Sequence, residues 1–261
     1  MIETPQQGRV QRFHHYGPWT LVIAAVLVAI GIELERHHAL HSEEFLFLVA
    51  LLPTVILHEV SHGVVAYWFG DDTAKRAGRL SLNPIRHIDP IGTVLLPILL
   101  IVTTHSAFGW AKPVPVRVDK LRHPRNEAVL VGLAGPVTNV ILALIAGFAF
   151  RLFGYNTVIH LANSGNIASW PLGDEFLFLF GIVNVIIAVF NLIPIPPLDG
   201  SAVIERLLPE RVLPQYYQLR MLSMFLVIFL VLFDPAALQG LFNWGTSAWG
   251  RVIGIGPVKL Y

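Results

Sequence analysis

The chain has 261 residues, of which 54% are hydrophobic and only 13% are charged. Soluble domains carry about 25% charged residues, so this composition indicates an integral membrane protein. The formal net charge is +1, and no basic block is present that could follow a phosphate backbone, so we expect no nucleic acid partner. With no cysteine, the chain has neither a disulfide nor a thiolate metal site, and any zinc must be bound by His, Asp, Glu and water.

The N-terminal region predicts a first membrane helix and an orientation. Met1 to Trp19 is polar and lacks an early apolar core, so we expect no cleavable signal peptide. Thr20 to Leu34 is the first apolar run. Arg9 and Arg12 precede this run, whereas acidic residues dominate the loop after it. The positive-inside rule therefore predicts a cytosolic N-terminus.

The second apolar run, Leu46 to Phe69, carries the sequence His58-Glu59-Val60-Ser61-His62 near its C-terminal end. A charged group at mid-bilayer costs roughly 2.5–3.5 kcal/mol, so such a cluster needs compensation. His58 and His62 are four residues apart and project from one face of a helix, where they can bind one ion. Imidazole suits Zn²⁺, and Glu59 can serve as a general base. The pattern can also arise by chance. A zinc site needs at least one more protein ligand, so the chain must supply it elsewhere.

The next part of the chain predicts a short membrane segment and a strand. Pro90 to Thr104 is apolar but brief, and basic residues flank it on both sides. A single crossing would leave one basic cluster outside, so a re-entrant hairpin is favoured, with a true span as the alternative. Lys112 to Val118 alternates valine with two prolines, which favours an edge strand.

Further apolar runs predict the remaining spans. Glu127 to Leu152 is a clear span whose small residues allow close helix approach, and Phe153 to Gly173 is expected outside the cell. Phe176 to Ile193 returns inward, and Met221 to Phe233 is a final short span. The tail carries Trp244, Trp249 and Tyr261, which suggests interfacial lodging. The predicted fold is an all-α polytopic membrane protein of about five or six transmembrane helices, with a small membrane-associated β-segment and a re-entrant hairpin.

A carboxylate that can complete the metal site follows the Phe176 to Ile193 span. Under the predicted topology, this end of the span lies at the depth of the two histidines. Asp199 comes after a run of prolines, which cannot continue a regular helix. Irregular backbone at membrane depth is tolerated only when buried in protein or lining a watery cavity. We therefore expect Asp199 to be the third zinc ligand, the structural alternative being a helix cap for the segment that begins at Ser201.

The sequence contains three motifs: His58-Glu59-Val60-Ser61-His62, Gly135-Pro136-Val137-Thr138-Asn139, and Asn191-x-x-Pro194-x-x-x-Leu198-Asp199-Gly200. Together they resemble the site-2 protease family, the intramembrane zinc metalloproteases of peptidase family M50. The resemblance covers roughly Phe45 to Arg220. Gly109 to Val116 is similar to the membrane-associated β-segment of many bacterial members.

The resemblance implies a role for each motif residue. His58, His62 and Asp199 would bind one Zn²⁺ per chain, and Glu59 would be the catalytic acid/base. Asn191 matches a family asparagine associated with holding the substrate strand or the oxyanion. Asn139 matches a second family asparagine, and both amides are expected to be catalytic.

The predicted organisation is a single intramembrane metalloprotease domain over residues 1–261. Its catalytic core spans about 45–220, preceded by an N-terminal helix within 1–44 and followed by a C-terminal helix and interfacial tail within 221–261. The sequence shows no PDZ-like insertion between the motif helices and no CBS domain after them, so a minimal bacterial-type member is expected.

The expected function is zinc-dependent hydrolysis of a peptide bond in or near a substrate's transmembrane helix, as in regulated intramembrane proteolysis. The expected partners are a single-span membrane protein as substrate and the lipid bilayer. The protein is predicted to be a multi-pass protein of the cell membrane, with its active site nearer the cytosolic face. The alternatives are a membrane zinc transporter, whose His and Asp would line an ion path, and a catalytically inactive membrane adaptor. The other nine histidines are expected to be interfacial or solvated rather than ligands.

Overall fold

The structure is a computed structural model, and the residues it describes are 42–87, 89, 92, 112–163, 170–234 and 236–258. Every regular element among these residues is helical. The α-helices are α1 (Ser42–Trp68), α2 (Thr73–Arg76), α3 (Pro124–Phe153), α4 (Tyr155–Asn163), α5 (Leu172–Asn191), α6 (Ser201–Leu207), α7 (Leu213–Phe233) and α8 (Ala236–Val252). Short 3-10 turns occupy Pro84–Arg86 and Val118–Lys120.

Three of the described helices are long and apolar enough to cross a membrane: Val49–Trp68 within α1, all of α3 and all of α5. These spans agree with the predicted runs and support a membrane protein. The predicted total of five or six spans stays a prediction. The predicted first span, Thr20 to Leu34, lies outside the described residues, and so does the predicted hairpin, Pro90 to Thr104, apart from residue 92. The predicted last span, Met221 to Phe233, lies within α7, which begins at Leu213 and is not one of these three candidate spans.

The three candidate spans pack against one another and form the framework of the site. A second layer comes from α8, which packs on α5. Its Trp249 is only 5% exposed, and the indole Nε1 donates to the backbone oxygen of Ala143 in α3 at 2.8 Å. The ring therefore fills a gap between helices, whereas the interfacial position suggested for Trp249 stays a prediction. Trp244, in contrast, is exposed, and Tyr261 lies outside the described residues.

Helices α4 and α8 occupy stretches for which no helix was predicted. Phe153 to Gly173 was expected only to lie outside the cell, and α4 occupies Tyr155–Asn163 within this stretch. For the tail after residue 233 only an interfacial position was suggested, and α8 forms there. Both helices are short or rich in glycine and polar residues, so hydropathy alone does not reveal them.

The predicted edge strand at Lys112 to Val118 is not a strand among the described residues. Residues 112–117 are irregular and are followed by a 3-10 turn. Pro113 and Pro115 have no N–H to donate to a neighbouring strand. The N–H groups of Lys112, Val114 and Arg117 all donate to the protein itself, so few donors remain for strand pairing.

Candidate active site

Three ligand-type side chains converge where α1 meets the loop between α5 and α6. His58 and His62 lie one turn apart on α1, and Asp199 lies just before α6. The Nε2 atoms of the two histidines are 3.2 Å apart. The Oδ2 atom of Asp199 lies 3.1 Å from Nε2 of His58 and 3.4 Å from Nε2 of His62. The geometry of α1 places the two histidines side by side, and the loop supplies the third side chain, Asp199.

The partners of the two Nδ1 atoms show which ring nitrogens face the centre of this group. Nδ1 of His62 donates to the backbone oxygen of Val131 at 2.6 Å, and Nδ1 of His58 donates to Oδ1 of Asn139 at 2.6 Å. A neutral imidazole protonated at Nδ1 carries a lone pair on Nε2. Both Nε2 lone pairs therefore point at Asp199, whose Oδ2 is buried and has no hydrogen-bond partner.

This arrangement fits a metal cation. Three lone-pair atoms face one another with no donor hydrogen between them, which costs free energy unless a cation lies among them. Their separations of 3.1–3.4 Å match the edge of a tetrahedron whose metal–ligand bonds are about 2.0–2.1 Å, an edge of about 3.3 Å. Two imidazoles and one carboxylate are a ligand set typical of catalytic zinc. The predicted third ligand, Asp199, is thus placed beside both histidines.

The loop that carries Asp199 is held close to α3 and to the end of α5. The backbone N–H of Gly200 donates to the backbone oxygen of Asn191 at 2.7 Å. A Cβ at Gly200 would lie 2.4 Å from the backbone oxygen of Leu192, and a Cβ at Gly132 would lie 3.2 Å from that of Asp199. Burial raises the pKa of the Asp199 carboxyl, but contact with the two imidazoles lowers it by more, to about 2. Asp199 is therefore ionised near neutral pH.

Gly135 of α3 lies directly against both imidazoles. A Cβ at this position would be 2.5 Å from Cε1 of His58 and 2.5 Å from Nε2 of His62. No side chain fits there without displacing the two imidazoles, so the close packing of α3 against them requires a glycine at this position. The sequence predicted this glycine as a small residue at a helix contact and as part of the second family motif, but it did not reveal the contact with the imidazoles.

Glu59, which follows the first histidine, is oriented by the backbone of the Lys112–Arg117 segment. Its Oε2 accepts a hydrogen bond from the N–H of Val114 at 2.8 Å. Among the described residues, Oε1 of Glu59 has no partner, so this oxygen is free to take a proton. Gly63 makes room for the contact, since a Cβ there would lie 2.8 Å from Cγ1 of Val114.

The Lys112–Arg117 segment is fixed at both ends. The N–H of Lys112 donates to the backbone oxygen of His87 at 2.9 Å, and the N–H of Arg117 donates to Oδ2 of Asp71 at 2.6 Å. Asp71 is fully buried, and its Oδ1 accepts from the N–H of Thr73 at 2.9 Å. Burial raises the pKa of Asp71, but these hydrogen bonds lower it by more, so the net shift is downward. The ionised carboxylate anchors the segment that holds Glu59.

Comparison with known proteins identifies the family. The sequence model of peptidase family M50 matches residues 46–233. The chain belongs to peptidase family M50. The predicted family is thereby confirmed, and with it the predicted enzyme class of zinc metalloprotease. No solved structure matches the chain at a significant level.

Relatives of this M50 peptidase come from bacteria and archaea. The chain is 41% identical over 187 residues to YwhC of Bacillus subtilis, covering 71% of this chain and 78% of YwhC. It is 33% identical over 201 residues to Rip2 of Mycobacterium tuberculosis, covering 76% of this chain and 70% of Rip2. Both relatives bear the name "Putative zinc metalloprotease". The zinc metalloprotease MJ0392 of Methanocaldococcus jannaschii is 23% identical over 189 residues, which is 72% of this chain and 41% of MJ0392.

The two asparagines predicted to be catalytic in this M50 peptidase are placed differently from the metal ligands. Asn139 is fully buried, and its amide nitrogen donates to Oδ1 of Asn184 at 2.9 Å. Its Oδ1 contacts Nδ1 of His58, and the catalytic role of Asn139 stays a prediction. The amide of Asn191 donates to the backbone oxygen of Ile187 at 3.1 Å, within α5. The catalytic role of Asn191 stays a prediction.

Sequence reasoning missed three side chains of the site region, namely Thr54, Asn184 and Asp71. All three are fully buried polar residues. The signal was available for Asn184, because an amide in the middle of an apolar span is costly unless it is bonded. His87, expected to be interfacial or solvated, is also buried, and its Nε2 donates to the backbone oxygen of Ser81 at 2.7 Å.

Proposed function

We propose that this M50 protein is a zinc-dependent endopeptidase that hydrolyses a peptide bond in or near the transmembrane helix of a substrate. The observation that carries the proposal is the convergence of His58, His62 and Asp199 beside a free carboxylate oxygen of Glu59. The two histidines and Glu59 lie within Val49–Trp68, a helix able to cross a bilayer. Two of the three proposed ligands and the proposed base therefore lie on a candidate membrane helix.

The chain's own residues have distinct tasks in this reaction. His58, His62 and Asp199 would hold the zinc ion, and a bound zinc ion would supply Lewis acidity toward the scissile carbonyl and the attacking water. Oε1 of Glu59 accepts a proton from that water and later delivers it to the leaving amine. Because Oε2 is bonded to the N–H of Val114, the carboxylate cannot rotate freely, which keeps Oε1 in position for both transfers.

The proposed substrate is a single-span membrane protein. A helical carbonyl is already hydrogen-bonded and shielded, so the substrate helix must unwind locally before its peptide bond can be attacked. A break in the substrate helix at the depth of the two histidines should therefore favour cleavage. A lipid bilayer is the expected medium, because it keeps the substrate helix at that depth.

We expect Glu59→Gln to abolish cleavage while zinc stays bound, because the amide cannot take the proton although all three ligands remain. The probe is a dye-labelled single-span protein with a Gly-Pro break in its membrane helix, co-reconstituted in liposomes with the full chain. Mass spectrometry of the products locates the cleaved bond, and elemental analysis of the same samples gives the zinc content. Cleavage by Glu59→Gln, or a cleaved bond confined to a water-exposed loop, would contradict the proposal. Zinc flux without cleavage would favour a transporter.

The proposed orientation places the active site toward the cytosolic face. His58 and His62 lie near the C-terminal end of α1, and the basic residues Lys75, Arg76, Arg79 and Arg86 follow that end. Because the chain has no cysteine, single-cysteine labelling gives an unambiguous test. We expect Lys75→Cys to react with an impermeant maleimide only from the cytosolic side and Leu172→Cys only from the outside. The reverse pattern would invert the topology.

A further inference from the structure

A chain of buried polar side chains runs from the proposed ligand His58 through three membrane-crossing helices. Nδ1 of His58 contacts Oδ1 of Asn139 in α3, and Nδ2 of Asn139 contacts Oδ1 of Asn184 in α5 at 2.9 Å. Nδ2 of Asn184 in turn contacts Oγ1 of Thr54 at 2.9 Å, back on α1. Asn139, Asn184 and Thr54 are all 0% exposed. Buried polar groups inside such helices are costly, so their alignment needs a reason.

The far end of this chain is fixed by two backbone oxygens, which can only accept. The hydroxyl of Thr54 donates to the backbone oxygen of Ala50 at 2.8 Å, so Oγ1 is left to accept. The amide nitrogen of Asn184 donates to the backbone oxygen of Phe180 at 2.8 Å and, with its second hydrogen, to Oγ1 of Thr54. Both hydrogens of that amide are used, and its orientation admits no flip.

The direction propagates to the metal site. Because the Asn184 nitrogen faces Thr54 and Phe180, Oδ1 of Asn184 is the atom that faces Asn139. This oxygen can only accept, so the Asn139 nitrogen must donate to it. Oδ1 of Asn139 therefore faces His58 as an acceptor and requires a proton on Nδ1. A neutral His58 in that tautomer has its lone pair on Nε2, the atom that faces His62 and Asp199.

We propose that Asn184 and Thr54 are positioning residues for metal binding, which act through Asn139 to hold His58 in the tautomer and ring orientation that present Nε2 to the zinc ion. The inference rests on the ligand role proposed above for His58. Groups that bond the outer nitrogen of a ligating histidine typically account for 10–100-fold in metal affinity. His62 needs no such chain, because its Nδ1 donates directly to the backbone oxygen of Val131.

A purely structural role for the same residues makes a different prediction. If the amide chain only held the three helices together, its loss would lower thermal stability and leave the zinc affinity of the folded protein unchanged. Thr246 provides the matched control, because it is a threonine with 0% exposure whose hydroxyl bonds the backbone oxygens of Phe242 and Val258, away from the His58 chain. Thr246→Val removes a comparable hydroxyl from a helix core outside the site.

The experiment measures Zn²⁺ dissociation constants of the purified full chain by competition with a chromogenic chelator. We expect Thr54→Val and Asn184→Leu each to weaken zinc binding roughly 10-fold. Thr54→Ser, which keeps the hydroxyl, should restore most of the affinity, and Thr246→Val should leave it unchanged. Because Asn184 acts through Asn139, the double variant Asn139→Leu/Asn184→Leu should bind zinc no more weakly than Asn139→Leu alone.

A second readout reports the tautomer without metal. In the metal-free protein labelled with ¹⁵N-histidine, the wild type should show His58 protonated at Nδ1, whereas Thr54→Val should show a mixture of both tautomers. Wild-type zinc affinity and an unchanged His58 tautomer in Thr54→Val would overturn the inference, even with a lowered melting temperature. If the wild type itself binds no zinc, the proposed function fails. If the wild type binds zinc and Thr54→Val binds it equally well, only the inference about the positioning residues fails.

Discussion

His58 and Glu59 are neighbours in sequence, but the two are held from opposite flanks by different chemistry. On one side, which we call the helical flank, α3 and α5 hold His58 through the buried amides of Asn139 and Asn184. On the other side, which we call the extended flank, the Lys112–Arg117 segment holds Glu59 through the backbone N–H of Val114. The metal site therefore depends on side-chain identity at helix contacts, whereas the acid/base depends on the path of a backbone. Substitutions on the two flanks should affect different measurable steps, metal binding and turnover respectively.

The largest expected effect comes from filling the glycine contact on the helical flank. Gly135→Ala would place a Cβ 2.5 Å from both imidazoles, so α3 or the ligands must shift. We expect the variant to lose zinc affinity by about 100-fold or more, with cleavage lost in parallel. Zinc content of the purified protein, measured by elemental analysis, checks this.

Gly173→Ala is the matched control, since a Cβ at that helical position meets nothing within 4 Å. It should keep wild-type zinc content and stability, because alanine is favoured over glycine in a helix. Full zinc occupancy in Gly135→Ala would contradict this prediction. It would show that α3 and the imidazoles can move apart to accept the Cβ without loss of the zinc site.

On the extended flank, Val114→Pro removes the N–H that holds Glu59. We expect kcat to fall about 10-fold with the zinc dissociation constant unchanged, because Glu59 loses its orientation while the ligands are untouched. Steady-state cleavage of the labelled single-span probe, together with chelator competition, separates the two quantities.

Val116→Pro is the control for this change. The N–H of Val116 has no hydrogen-bond partner in the part of the chain that the structure describes, so its loss should leave kcat near that of the wild type. Equal losses in both proline variants would mean that rigidity of the segment matters, rather than the bond to Glu59.

The smallest expected effect concerns Asp71, the anchor of the extended flank. Asp71→Asn weakens hydrogen bonds to a buried carboxylate and should cost about 1–3 kcal/mol of stability. Since the folded-state pKa of Asp71 is lowered, its contribution is fully present above about pH 4 and is lost as the pH falls through that lowered pKa. Thermal unfolding in detergent should therefore show a shallower acid limb for Asp71→Asn than for the wild type.

Asp119 serves as the surface comparison for Asp71, because its side chain is 64% exposed. Asp119→Asn should change stability by no more than about 0.5 kcal/mol. If both variants lost stability equally, the buried anchor would have no special part in holding the segment.

The difference between the flanks also explains how far sequence reasoning could reach. Spacing on one helix predicted His58, Glu59 and His62 as a unit, since the geometry of an α-helix is fixed locally. Asp199 was predicted from a proline break at matched depth. The edge strand at Lys112 to Val118 was wrong because the alternation of valines did not reveal that its N–H groups donate to other parts of the protein.

The sequence by itself determined the membrane character, the three candidate spans and the residues that form the metal group, because hydropathy and helical periodicity are local properties. Tertiary structure alone decided what surrounds them: the contact of Gly135 with the imidazoles, the direction of the amide chain through Asn184 and the bond from Val114 to Glu59. Those contacts join residues far apart in sequence, and only the packing of the helices brings them within hydrogen-bond distance.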